Sequence, residues 1–209
     1  MATVLEKHEI QLPAQTMTFA QFLKWVDEDD YAEWADGAVI FKGTESAVHQ
    51  GLLGFLICLL SWFAEDNDAG QISSNPFLMK LPHSGRAPDL LFVTKQNLAR
   101  FKEYYLDGPA DLVIEIVSPE SALRDRGAKY AEYEAGGVRE YWIIDNLSQR
   151  ADFFVLDAEG RYQRATPDAD GKYTSAVLPD FWISVGWLWQ TPLPPVRQVL
   201  REWEAASSH

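Results

Sequence analysis

Two apolar runs that each carry a single carboxylate constrain the fold of this chain most strongly. Residues 88–93 contain Asp89, and residues 112–117 contain Glu115. An apolar run of this length, bounded by turn residues, is typical of a strand buried on both faces. A lone ionised carboxylate is costly to bury there unless it is paired, hydrogen-bonded or bound to a cation. Two such runs, if they lie side by side, predict a shared acidic site for a hard divalent metal, which prefers oxygen ligands.

Length and composition favour one domain with a large core. The chain has 209 residues, of which 47% are apolar and 13% aromatic, and these values exclude a disordered chain. We expect a single domain over residues 1–209, with its core at about 30–165. The only cysteine, Cys58, lies in an apolar run. An internal disulfide is therefore impossible, and we expect a buried Cys58 and a reducing cytoplasmic setting.

The pattern of apolar and turn residues predicts an α/β order of elements. Helices are predicted over 18–31 with Thr18 as N-cap, 44–64, 96–102, 121–135 ending at Gly136-Gly137, and at the C-terminus through Trp203. Strands are predicted at 38–41 after a turn at Asp36-Gly37, and at 76–81, 88–93, 112–117, 139–145, 151–156 and 161–163, with short strands within 178–189. Between Glu115 and Tyr141 the chain is long enough for a helical crossover. The predicted architecture is a mixed central sheet flanked by helices, with an N-terminal helical and hairpin part and a short β-rich C-terminal extension.

Charge and the absence of other motifs narrow the possible functions. The net charge of −13 argues against tight nonspecific nucleic-acid binding but leaves room for a local basic groove. Residues 1–11 do not resemble a signal peptide, and we interpret the uncharged stretch 47–63 as a buried helix rather than a membrane span. The sequence has no glycine-rich phosphate loop, no Gly-x-Ser-x-Gly motif and no zinc-ligand spacing among its histidines, which are His8, His49, His83 and His209.

The order Asp89 … Glu115-Ile116-Val117 resembles the P-D … (D/E)-x-K signature of the restriction-endonuclease-like nucleases, with Val117 at the lysine position. Residues 124–145 add D-x-x-x-K-x-x-x-Y and G-V-x-E-Y-W-x-x-D. Together with P-D-hydrophobic and E-x-x-S-P, these four blocks cover residues 88–145. They resemble a bacterial family of unknown function known as putative restriction endonucleases. Residues 31–37 and His49 also resemble its N-terminal pattern.

The resemblance implies a restriction-endonuclease-like core whose lysine has moved to the helix after the second acidic strand. Asp89 and Glu115 would hold Mg²⁺ or Mn²⁺ with the backbone carbonyl of Ile116 or Val117. Lys129 would orient the attacking water or neutralise charge on the phosphate. It shares one helical face with Asp125 and Tyr133, which are each four residues away. Glu33 would be a further acidic member of the site.

Structural interpretations of the same residues remain open. Asp89 could serve a strand end, Glu115 could pair with Lys129 without a metal, and Lys129 or Glu33 could lie at the surface. We expect His49 to support the structure or the site indirectly. Asp145 is expected to stabilise the turn at Asn146, and Tyr141 and Trp142 to belong to the core or an interface.

The sequence is compatible with two functions. The first is a metal-dependent nuclease, expected to act on DNA with weak, salt-sensitive binding. The second is a non-enzymatic homodimeric interaction or regulatory protein that retains the fold. A homodimer is expected in either case, because the eight tryptophans and the apolar segment 181–189 exceed what one small core needs.

Overall fold

Helices and mixed sheets make up the fold in a computed structural model that describes residues 16–27, 30–118 and 121–207. The helices within these ranges are α1 (Phe19–Trp25), α2 (Ala47–Asp66), α3 (Ala122–Asp125), α4 (Ala128–Gly136) and α5 (Val196–Ser207). Short 3-10 helices lie at Lys95–Arg100 and Val185–Trp189. The strands are β1 (Ala32–Ala35), β2 (Ala38–Phe41), β3 (Gly70–Ser74), β4 (Leu78–Lys80), β5 (Ser84–Arg86), β6 (Leu90–Thr94), β7 (Tyr105–Asp107), β8 (Leu112–Ile116), β9 (Glu140–Asp145), β10 (Arg150–Leu156), β11 (Tyr162–Ala165), β12 (Lys172–Thr174) and β13 (Trp182–Ser184).

The two acidic runs are neighbours in a six-stranded sheet of order β11-β10-β9-β8-β6-β3. Strands β6 and β8 pair antiparallel with Leu90 opposite Ile114. Strands β8 and β9 are parallel, and α3 and α4 form the connection between them. The sheet is therefore mixed, and the predicted helical crossover is confirmed.

Both faces of this sheet are covered, as the unbroken apolar runs predicted. On one face Leu90, Phe92 and Ile114 pack with α2 and the C-terminal segments. On the other face Leu91 and Val113 pack with Tyr133 of α4. Because side chains alternate along a strand, residues 89 and 115 belong to this second face, under α4.

A five-stranded sheet of order β2-β1-β5-β4-β7 carries the N-terminal part. The predicted Asp36-Gly37 turn joins β1 and β2, with φ values of 47° and 89°, which suit a tight hairpin turn. Thr18 caps α1 through a capping box with Gln21. The helix predicted over 18–31 ends at Trp25, and residues 28 and 29 lie outside the described residues.

The helix predicted over 121–135 is broken into α3 and α4 at Gly127. The Gly127 backbone has φ −120° and ψ −92°, and a Cβ there would lie 2.7 Å from the Leu123 carbonyl oxygen. The predicted cap is confirmed, because Gly137 ends α4 in the left-handed conformation at φ 85°.

The predicted burial of Cys58 is wrong. Cys58 is exposed, because it lies opposite the stripe of α2 that includes the buried Leu52, Leu56 and Leu59. By length and composition α2 is the single helix among the described residues that could cross a membrane, and half of its apolar window is buried inside the fold. Such burial is what a core helix shows.

Candidate active site

Four side chains singled out from the sequence converge beneath α4. Asp89 immediately precedes β6, Glu115 lies in β8, Lys129 in α4 and Glu33 in β1. All four are buried. Since Leu90 pairs with Ile114, the antiparallel register carries Asp89 to the position opposite Glu115, where side chains share one face of the sheet.

The Lys129 ammonium lies among three carboxylates. Its Nζ is 2.8 Å from Glu115 Oε1, 3.3 Å from Asp125 Oδ1 and 3.6 Å from Glu33 Oε1. Burial lowers the pKa of Lys129, but the charges of Glu115, Glu33 and Asp125 outweigh it and raise the pKa above its ordinary value. Lys129 is therefore held as a buried cation, and the interpretation of a solvated helix residue is wrong.

Only one oxygen of the Glu115 carboxylate, Oε1, has a hydrogen-bond or ion-pair partner among the described residues. Oε1 accepts a hydrogen bond from the Tyr133 hydroxyl at 2.7 Å and contacts Lys129. Within the described residues Oε2 accepts no hydrogen bond. Burial raises the pKa of Glu115 to about 7; the Lys129 charge opposes this rise, and repulsion from Asp125 and Asp89 adds to it. A cation placed beside Oε2 would favour the ionised form.

Both oxygens of Asp89 accept hydrogen bonds. Oδ2 lies 3.1 Å from His49 Nε2 and accepts from the Ile116 N–H at 2.8 Å, while Oδ1 accepts from Asn75 Nδ2 at 3.0 Å. Burial raises the pKa of Asp89, but the His49 hydrogen bond and the Lys42 charge outweigh it and hold the pKa below its ordinary value. Asp89 is therefore an anion that ties the start of β6 to β8.

Glu33 is a fully buried anion, so the interpretation of a surface residue is wrong. It accepts hydrogen bonds from Arg86 Nη1 at 3.0 Å and from the Ala87 N–H at 3.1 Å. Burial raises its pKa, but Lys129, Lys42 and Arg86 together lower it below the ordinary value. Glu33 joins the N-terminal sheet to the helix that carries Lys129.

Sequence reasoning missed three members of this cluster: Lys42, Arg86 and Asn75. Lys42 Nζ lies 3.8 Å from Asp89 Oδ1 and 3.9 Å from Glu33 Oε1. The predicted hairpin could have indicated Lys42. Glu33 pairs with Ile40 across this hairpin, and residue 42 shares the strand face of residue 40. No local pattern indicated that β5 exists, and so nothing indicated Arg86.

A cavity of about 520 Å³ opens onto the cluster. Asp89, Glu115 and Lys129 line it, together with His49, Lys42 and Arg124. His49 is buried, and its Nδ1 has no hydrogen-bond partner among the described residues. The cavity gives a ligand access to both acidic strand positions and to the buried ammonium.

The structural interpretations of three further residues are confirmed. Asp145 Oδ1 accepts a hydrogen bond from the Ser148 N–H at 3.1 Å, as expected for a turn-stabilising aspartate. Tyr141 and Trp142 are fully buried and belong to the two cores that cover the sheet.

The fold that carries this acidic, lysine-containing cluster is similar to that of a solved protein described as a putative nuclease. The crystal structure of a putative nuclease belonging to DUF820 from Anabaena variabilis shares the fold with a TM-score of 0.70. The two are 16% identical, and the match covers 83% of this chain and 97% of that one. Residues 19–186 match the family model Uma2, described as putative restriction endonuclease. The chain therefore belongs to this family. None of the curated proteins matches it.

Proposed function

We propose that the chain is a divalent-metal-dependent nuclease that hydrolyses phosphodiester bonds, with DNA as the expected substrate. Family and fold support a nuclease. The proposal is carried by one observation: an acidic pair and a buried lysine, Asp89, Glu115 and Lys129, line one open cavity. Such a combination suits phosphodiester hydrolysis, because negative charge builds up on the phosphate during the reaction.

The residues present fit Mg²⁺ or Mn²⁺ held by Asp89 and Glu115. Among the described residues no three histidine, cysteine or acidic side chains are grouped to hold a metal. Mg²⁺ commonly uses one or two carboxylates and completes its shell with water and substrate phosphate. The free Oε2 of Glu115 suits such a ligand. The backbone carbonyl of Ile116 stays our predicted third ligand.

A bound metal would polarise a phosphate oxygen and lower the pKa of a coordinated water. Lys129 would bring a permanent positive charge to the scissile phosphate, because its pKa is raised by the surrounding carboxylates. Tyr133 and His49 would act as positioning residues, since they hold Glu115 and Asp89 by hydrogen bonds. Glu33 would fix Lys129 from the opposite side.

The test compares wild type with two site variants, Glu115→Gln and Lys129→Ala, and with Glu159→Gln, a control at an exposed position. We expect Mn²⁺-dependent cleavage of DNA by wild type and by the control. Glu115→Gln should lose Mn²⁺ binding in calorimetry, because the amide keeps the shape but not the charge. Lys129→Ala should retain the metal ligands and lose turnover. Equal cleavage by all variants would indicate a contaminating nuclease and refute the proposal.

A non-enzymatic homodimeric role is the second candidate, and the Lys129–Glu115 contact favours it. A buried ion pair at 2.8 Å can stabilise the fold without a metal. This candidate is supported if wild type neither binds Mn²⁺ nor cleaves any DNA or RNA. Light scattering on the same samples would then show whether the predicted dimer exists.

A further inference from the structure

Exposed aliphatic side chains lie at the active-site cavity and next to it in the chain. Val48 and Leu147 line the cavity and are 61% and 76% exposed. Leu123 is 91% exposed and adjoins Arg124, which also lines the cavity. Large hydrophobic side chains are exposed at only four described positions, and the fourth is Tyr104. We call Val48, Leu123 and Leu147 the aliphatic rim. Such clustering of apolar side chains marks a contact surface.

The residues that would act on a phosphate lie below the aliphatic rim. Asp89, Glu115 and Lys129 are almost completely buried, so a scissile group must enter the cavity to reach them. A volume of about 520 Å³ falls within the range of pockets that enclose a small ligand. The cavity therefore suits a single nucleotide that has unstacked from the adjacent nucleotides. It does not suit the outer surface of an intact duplex.

A group of basic side chains lies around Asp152, close to the turn that carries Leu147. Arg126, Arg150 and Arg164 all contact Asp152, and Arg126 also contacts Asp145. The side chains of Arg150 and Arg164 are each 57% exposed and so retain donors for another anion.

Arg150 follows the turn that contains Leu147 and pairs with Asp145 across it. Half-exposed guanidinium groups therefore lie next to the turn that carries Leu147, outside the cavity itself, and such groups attract the phosphates of a nucleic acid although the whole chain is acidic.

We propose that the cavity accepts an unpaired nucleic-acid strand, whose base faces pack on the aliphatic rim while its phosphates meet the neighbouring arginines. This inference rests on the proposed nuclease function and names its substrate class. Unpaired bases expose apolar faces that a duplex keeps stacked, and aliphatic side chains are used to pack against unstacked bases. On a paired helix the aliphatic rim would meet charged phosphates and sugars instead.

The test measures binding of a fluorescein-labelled 20-nucleotide DNA of mixed sequence, as a single strand and as a duplex, by anisotropy with Ca²⁺ in place of Mg²⁺. We expect wild type to prefer the single strand. The double variant Leu123→Ser/Leu147→Ser should bind the single strand roughly threefold to tenfold more weakly, because apolar contact is lost, and should bind the duplex almost unchanged. Both positions are highly exposed, so the fold is preserved, as thermal melting would confirm. Tyr104→Ser is the matched control and should change neither affinity.

The outcomes separate this inference from the proposed function. Nuclease activity with equal losses on both DNA forms, or with no loss, overturns the unpaired-strand inference and leaves the nuclease intact. A wild type that binds and cleaves no nucleic acid overturns both. If light scattering shows a dimer that the double variant dissociates, the aliphatic rim is a contact between two copies, and the inference is also overturned.

Discussion

Replacing Lys129 by methionine tests the electrostatics of the site most directly. Methionine retains most of the aliphatic length but removes the charge that lies 2.8 Å from Glu115, 3.3 Å from Asp125 and 3.6 Å from Glu33. All three carboxylates are buried. Breaking a buried ion pair from one side costs about 3–5 kcal/mol, because the remaining charge is left uncompensated. With three partners affected, we expect the free energy of unfolding to fall by at least the lower end of that range.

Urea denaturation in metal-free buffer would measure the loss. Lys80→Met is the matched control, since Lys80 lies 3.0 Å from Asp107 in an exposed pair and should lose about 0–1 kcal/mol. Adding Glu115→Gln to Lys129→Met should recover part of the stability, because one uncompensated carboxylate is removed. A loss below about 1 kcal/mol for Lys129→Met, equal to that of the control, would refute the argument that Lys129 is the counter-ion of this cluster.

Three further predictions concern the scaffold around the site. Glu140→Gln should lower the free energy of unfolding, measured by urea denaturation, by about 2–4 kcal/mol. The Glu140 carboxylate accepts hydrogen bonds from Trp142 Nε1 on one oxygen and from the Val177 N–H on the other, and an amide would leave one of these fixed donors unpaired. A loss no larger than that of Glu159→Gln would contradict this prediction. Asp152→Asn should lower stability at pH 7 by about 1–3 kcal/mol. The Arg150 and Arg126 hydrogen bonds outweigh burial and hold the pKa of Asp152 below its ordinary value, so this difference should shrink as the pH falls below about 4 towards that lowered pKa; a difference that is constant from pH 7 to 3 would refute it. Light scattering at micromolar concentration should give a dimer mass, and a monomer mass would contradict the predicted homodimer.

Much of the central sheet could be predicted because its signals are local. The continuous apolar runs of β6, β8 and β9 indicated strands buried on both faces. The Asp36-Gly37 turn and the Gly137 cap were predictable because each needs a backbone conformation that few residues adopt. Asp89 and Glu115 were found as lone carboxylates in buried apolar runs. Lys129 was found through the motif resemblance, whereas spacing alone left it as an ordinary helix residue.

The partners of these residues depend on contacts between distant parts of the chain. Arg86 and Glu33 are 53 positions apart, and Arg86 lies on a three-residue strand whose sequence, Ser-Gly-Arg, has no strand signal. The exposure of Cys58 likewise depends on which side of α2 meets the sheet. These distant charged side chains form ion pairs with one another because they are buried, and an unpaired charge is costly away from water. Periodicity in the chain therefore predicts the strands and helices, while the pairing of the buried charges emerges only when the two sheets and α4 pack together.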